Sequence, residues 1–204
     1  MNPLQSNNIH WSENIIVADA EYIDKVAFNL TVYFERALNR RIPKADFSTW
    51  AIDVALDGGV REGEHETQVV LVHDKDKRQM EYFTPSDFER DLNAKAFRHE
   101  KFGEFIVSSL AVEKGFTTKG NFMADIVRTF CDQESVKRIM VVPDSEEGDG
   151  YEAVSRILQP KDDDEKRITL FAMQPMPTGN FRQEILGYSL MNALGIKSEE
   201  IPQS

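Results

Sequence analysis

Cysteine is almost missing from this chain: Cys131 is the only one in 204 residues. No internal disulfide can form, and a reducing cytoplasm is the expected setting. Cys131 sits in an apolar-rich segment and reads as buried and inert. Long apolar runs are missing as well. No stretch approaches the roughly 18 residues that span a bilayer, and the opening "MNPLQSNNIHW" has neither the basic nor the apolar region of a signal peptide. No membrane partner is expected. Positive charge is scarce: 24 Lys and Arg stand against 35 Asp and Glu, a net charge of −11. Such a surface repels phosphate backbones and anionic lipids, so no DNA partner is expected. It suits a chain that binds other proteins. His10, His65, His73 and His99 are scattered, without HExxH spacing or cysteine partners, which argues against zinc. GxxxxGK[ST], GxGxxG and GxSxG are all lacking, so P-loop, dinucleotide and hydrolase-elbow readings lose their central motif.

What is present is a core. Apolar residues make up 41% of the chain, enough for one folded domain over 1–204. "NIIVAD" (14–19) reads as a strand ending at Asp19. "DKVAFNLTVYFERALNR" (24–40) reads as an amphipathic helix capped by Asp24. In "FSTWAIDVALDGG", Trp50, Ile52, Val54 and Leu56 alternate with Ala51, Asp53, Ala55 and Asp57, a period of two that predicts a strand. "TQVVLVHD" and "RQMEYFTP" follow, so an antiparallel meander is expected over 46–84. His73-Asp74 closes one of these strands and reads as a surface turn.

Thr84-Pro85-Ser86-Asp87 predicts a helix start, running to Phe97. "EFIVSSLAVE" reads as a strand, and "GNFMADIVRTFCDQ" as a helix with Phe122, Ile126 and Phe130 on one row. "KRIMVVPD" is a strand apolar enough for burial on both faces. "GYEAVSRILQ" is a helix, "PKDDDEKR" a solvated loop, "KRITLFAMQ" a strand. "NFRQEILGYSLMNALG" is read as the last helix, capped by Asn180 and stopped at Gly195. Such alternation favours a parallel sheet with right-handed crossovers. The expected class is α/β: a mostly parallel central sheet with helices on both faces, Rossmann-like, with the meander attached.

Ligands of such sheets sit beyond the carboxyl ends of the strands. Two predicted strands end there in acids: Asp19, followed by Glu21 and Asp24, and Asp144, followed by Glu146 and Asp149. If the strands are neighbours, Asp19 and Asp144 face each other across a crevice. Close carboxylates repel, and a hard cation such as Mg²⁺ or Mn²⁺ relieves the repulsion. The same ion can activate water against a phosphate. Each acid also has a structural reading: Asp149 with Glu152 as a capping box, Asp24 as an N-cap, Asp125 as a solvent-facing residue of its helix.

The order of a strand ending in Asp19, an amphipathic helix, a helix introduced by Lys119-Gly120 that carries Asp125, and an apolar strand ending in Asp144-Ser145-Glu146 resembles the PIN-like ribonuclease superfamily, in particular its NYN branch. The resemblance covers roughly 14–40 and 117–195. It implies that Asp19, Asp125 and Asp144 ligate Mg²⁺ or Mn²⁺, that Glu146 helps position the water, and that RNA is the substrate. The motif departs from the family's: Pro143 replaces a small residue, Glu146 stands where Asp is usual, and Asn121 stands near the place of an acid.

Two functions follow. One is a metal-dependent ribonuclease built on these acids. The other is a non-catalytic relative that binds a partner protein or a second copy of itself. The acidic surface, the altered motif and the lack of a basic track favour the second; the acids at the strand ends favour the first.

Overall fold

A computed structural model describes residues 11–158, 166–177 and 179–201. The loop expected at 160–167 falls largely outside them. Strand β1 (Asn14–Asp19) is wholly buried. Helix α1 (Ala20–Leu38) follows at once, so the cap is Asp19 rather than Asp24: the Asp19 side chain accepts from the Tyr22 amide at 3.0 Å. Asp24 lies a full turn inside the helix.

The first large departure comes next. "FSTWAIDVALD" forms helix α2 (Phe47–Asp57), preceded by a two-residue strand β2 (Ala45–Asp46). Two patterns compete in this stretch. As a strand it would bury Trp50, Ile52, Val54 and Leu56. As a helix it buries Phe47, Trp50, Ala51, Val54 and Ala55, the spacing i, i+3, i+4, i+7, i+8. The helix leaves Leu56 41% exposed but gains Phe47, whose burial is worth about 1.5–3 kcal/mol. Asp46 secures the start by accepting from the Thr49 amide at 2.7 Å.

The meander is not formed. β3 (Glu66–Asp74) enters the main sheet parallel to β1. "RQMEYFTP" yields only β4 (Phe83–Thr84), paired in parallel with β2 as a separate two-stranded piece. It packs Phe83 against Phe47 and Trp50, with ring centroids 6.4 and 6.0 Å away. The helix expected to run to Phe97 is a five-residue π-helical turn, Phe88–Leu92, capped by Asp87. Ala94 then takes a φ of 56° and the chain continues as β5 (Lys95–His99). β5 runs antiparallel to β6 (Gly103–Val112).

The second half follows expectation more closely: α3 (Lys119–Cys131), β7 (Arg138–Val142), α4 (Gly150–Leu158) and β8 (Arg167–Ala172). The last predicted helix divides. Residues Arg182–Ile185 form strand β9 beside β8, and only Leu186–Ala193 form helix α5. Asn180 therefore caps no helix; α5 starts after Ile185.

The main sheet has seven strands in the order β5-β6-β3-β1-β7-β8-β9. Apart from β5 every neighbour pair is parallel. In order of appearance the six parallel strands read 3-2-1-4-5-6, the doubly wound arrangement, whose switch point lies between β1 and β7. Alternate side chains of a strand point to opposite faces. Ile16 and Ala18 accordingly join one apolar cluster, with residues of α1, α2 and α5. Ile15 and Val17 join another, with residues of α3 and α4. No helix of the described residues is long and apolar enough to cross a membrane.

Candidate functional site at the carboxyl edge

Asp19 and Asp144 do end adjacent strands. Ala18 lies beside Val142 in the parallel pair β1–β7, and each acid follows within two residues. Their carboxylates nevertheless serve different purposes. Asp19 is 3% exposed, and its Oδ1 lies 2.8 Å from the Nζ of Lys119. The same ammonium binds Oε2 of Glu21, while Oε1 of Glu21 accepts the Asp74 amide at 2.9 Å. Asp144 turns to its own loop: Oδ1 accepts the amides of Glu146 and Glu147, both at 2.9 Å. Glu146 is exposed. Asp125 is exposed on α3 and faces Arg128 at 3.3 Å.

The expected set Asp19, Asp125 and Asp144, with Glu146, is thus not gathered on one point. Among the described residues, no group of three or more His, Cys, Asp or Glu side chains is placed to hold a metal ion. A cation already sits against Asp19, and it is the protein's own. These residues do not fit Mg²⁺ or Mn²⁺, because Lys119 fills the hollow that a shared ion would need.

Burial pushes the Asp19 carboxyl up to about 6, although Lys119 and the Tyr22 amide pull the other way. Burial also acts against the Lys119 ammonium, but Asp19 and Glu21 outweigh it and hold the amine above its ordinary value. The two results differ for a reason: Lys119 has two carboxylates, whereas Asp19 has one cation and lies deeper. Across the crevice the Tyr22 hydroxyl meets the Ser145 hydroxyl at 2.8 Å. Burial, with the carboxylates of Glu146 and Asp144 nearby, pushes that phenol up to about 12. Lys25 bridges to Glu147 at 2.7 Å. The segments that follow the two strands are thus linked across the switch point by the Tyr22–Ser145 and Lys25–Glu147 contacts.

Lys119 enters the sequence reading only as half of the Lys119-Gly120 pair that introduces the helix. A signal existed. Lysine in the first turn of a helix opposes the helix dipole, so it needs a nearby acid. Gly120 has its own cause: a Cβ there would lie 2.5 Å from Oδ1 of Asp149 and 2.9 Å from Cα of Gly150. The starts of α3 and α4 touch. Asp149 accepts from the Thr118 hydroxyl at 2.7 Å across this contact, so its carboxylate serves α3 instead of a capping box with Glu152. Glu152 pairs with Arg156.

Beside this network, beyond the ends of β1 and β3, lies a cavity of about 510 Å³. Its wall includes Phe28, Met80, Tyr82 and Phe88, and its rim Asp24, Lys77 and Arg78. His73 is not on a surface turn. It is 6% exposed and stacks on Phe88, with centroids 4.0 Å apart. The Asp74 carboxylate turns to Lys114 at 3.4 Å. Asp24 holds the rim in place: its carboxylate accepts the amides of Glu81 and Tyr82 at 2.9 and 2.7 Å. Asp24→Ala should therefore loosen residues 79–82, costing about 1–3 kcal/mol for two amides left without an acceptor. The check is hydrogen exchange at Glu81 and Tyr82, which should speed up in this variant while the amides of β1 keep their protection. Unchanged exchange at both amides would refute the role.

A family model described as "Family of unknown function (DUF6621)" matches residues 8–201. The chain belongs to that family. No curated protein and no solved structure matches it.

Proposed function

We propose that this member of the DUF6621 family is a non-catalytic binding domain of the PIN-like kind, working in the cytoplasm, which receives a segment of a partner protein in the cavity over β1 and β3. The observation that carries the reading is the Lys119 ammonium at 2.8 Å from Asp19. A ribonuclease of the expected type needs that carboxylate for a metal. Here it is committed to a lysine that also holds Glu21, and through Glu21 the end of β3. The acids at the strand ends act as braces.

The cavity's chemistry points to the ligand class. The acids of its wall are engaged: Glu21 by Lys119, Asp24 by two amides, Asp76 by Lys114 at 3.1 Å, Glu81 by Gln79 at 3.0 Å. Lys25 is engaged by Glu147. Lys77 and Arg78 make no side-chain hydrogen bond or ion pair among the described residues. Phe28 is 42% exposed and stands 5.0 Å from Tyr82. An apolar wall with two cations that hold no hydrogen bond or ion pair, Lys77 lying in the field of Asp76, suits a peptide segment that carries an acid beside an aromatic or aliphatic anchor.

A photo-crosslinking residue at position 28, activated in cells, tests this. One discrete adduct is expected, and it should disappear when Lys77 and Arg78 are both changed to Glu. An adduct of twice the chain mass would identify a second copy as the partner. A smear of adducts, or one indifferent to the double change, would sink the proposal. So would Mn²⁺-dependent RNA cleavage that vanishes in Asp19→Asn.

A further inference from the structure

Three adjacent strands begin with arginine: Arg138 in β7, Arg167 in β8 and Arg182 in β9. Arg138 lies beside Arg167, and Arg182 beside Thr169, which is two residues beyond Arg167. All four side chains therefore share one face. It is the face on which Met140 and Phe171 enter the core with α2. The end of α2 meets this corner at Gly58-Gly59. Arg138 Nε donates to the Gly59 carbonyl at 3.1 Å. The Arg167 guanidinium lies against Gly59, where a Cβ would stand 2.4 Å from its Cζ. Gly59 has a φ of +88°, so both its conformation and the close approach call for glycine.

The corner has more donors than acceptors: Arg138 has the Gly59 carbonyl and Asn14 Oδ1, at 3.1 and 3.4 Å. The charged groups acting on Arg167 are Arg182, Arg138, Arg61 and Glu184. Arg138, Arg182 and Arg61 thus act on Arg167 against Glu184, on a chain whose net charge is −11, and Asp57 at the end of α2 stands near Glu184. None of the four arginines makes an ion pair among the described residues. Nε of Arg167 and Oγ1 of Thr169 are buried without a hydrogen-bond partner. Buried groups of this kind are seldom left unmatched. Arg61 and Arg182 are exposed, so the corner opens to solvent.

We infer that this amino-end corner of β7, β8 and β9 binds a phosphate-class dianion, either free or as the phosphoryl group of a small molecule. Arg167, Arg182 and Arg61 supply the donors, and Gly59, whose carbonyl Arg138 holds, is the surface against which the Arg167 guanidinium lies. Guanidinium matches tetrahedral oxyanions through paired N–H groups. A dianion offsets most of the uncompensated charge, which a monocarboxylate cannot do. The site lies at the edge of the sheet opposite the cavity over β1 and β3 and does not depend on it.

The test uses the full chain and inorganic phosphate. Calorimetric titration and melting temperature are measured in phosphate and in chloride at matched ionic strength. Phosphate should raise the wild-type melting temperature by mass action. Arg182→Gln and Arg61→Gln, at exposed positions, should each weaken phosphate binding about tenfold or more. Lys77→Gln at the opposite edge should leave it unchanged. Glycerol phosphate distinguishes the sources: tighter binding than phosphate assigns the site to a phosphoryl group on a small molecule, and weaker binding to the free ion. No phosphate-specific shift in the wild type, or an equal shift in the Arg61/Arg182 double variant, overturns the inference.

Discussion

Replacing Lys119 with alanine is expected to cost roughly 3 kcal/mol of stability at pH 7, and less at pH 5, where only the share due to Glu21 remains. Removing one partner of a buried ion pair strands the other, a loss on the order of 3–5 kcal/mol when the stranded charge has no escape. Asp19 has an escape, because it can take up a proton. Its carboxyl titrates at about 6 in the folded protein against 3.8 for the free side chain. Between those values the native state binds more protons than the unfolded one. The stability this group contributes is thus full below about pH 4 and is lost as pH rises through about 6. Without Lys119 the folded carboxyl moves higher still, and the loss extends further into the neutral range. At pH 5 the wild-type carboxyl already holds its proton most of the time, so Lys119 keeps there only its pairing with the part-exposed Glu21. Urea denaturation at the two pH values measures the difference. An equal penalty at both would mean that Asp19 and Lys119 are not coupled in this way. Asp19→Asn is the matching control. It keeps an acceptor for the Tyr22 amide and removes the buried charge, so its stability should vary less between pH 4 and 7.

The same pair marks how far the sequence can be read. The apolar character of β1 and β7 was legible, but their adjacency was only a condition of the sequence reading, because strand order is set by pairing that no single segment carries. β1, β7 and β8 are buried on both faces as their composition suggests. What the acids do was not legible, because Lys119 lies a hundred residues from Asp19 and the crossing of β6 to α3 decides their contact. The helix α2 was misread for a local reason: Trp50, Ile52, Val54 and Leu56 satisfy a period of two, while the helical period depends on counting Ala51 and Ala55 as core. β9 was hidden by its polarity. "RQEI" carries no strand signal of its own and becomes a strand by pairing with β8 at the sheet's edge. The arginines that open β7, β8 and β9 are scattered in the sequence, and strand register alone brings them together.

A second large effect is expected at Gly103, with Gly115 as its comparison. Both have positive φ, +79° and +97°. At Gly115 nothing lies within 4 Å of an added Cβ. Gly115→Ala should therefore cost only the backbone strain, about 1–2 kcal/mol. At Gly103 the added Cβ would stand 2.1 Å from the carbonyl oxygen of His65 and 2.6 Å from its nitrogen. Those are backbone atoms, and the oxygen also accepts the Glu104 amide at 2.9 Å. No rotamer relieves the clash, so the start of β6 must move away from β3. The two strands are paired residue for residue from Glu66↔Glu104 to Asp74↔Val112. A displacement at one end is carried by a stiff ladder toward Asp74, whose amide Glu21 holds. Gly103→Ala should cost at least about 3 kcal/mol, in the range typical of strain that a core cannot absorb. Equal losses in the two alanine variants, measured by urea denaturation, would show that β6 yields freely at this edge. The β3–β6 pair would then be no rigid base for the cavity at its other end, and the binding site proposed there would lose the support that shapes it.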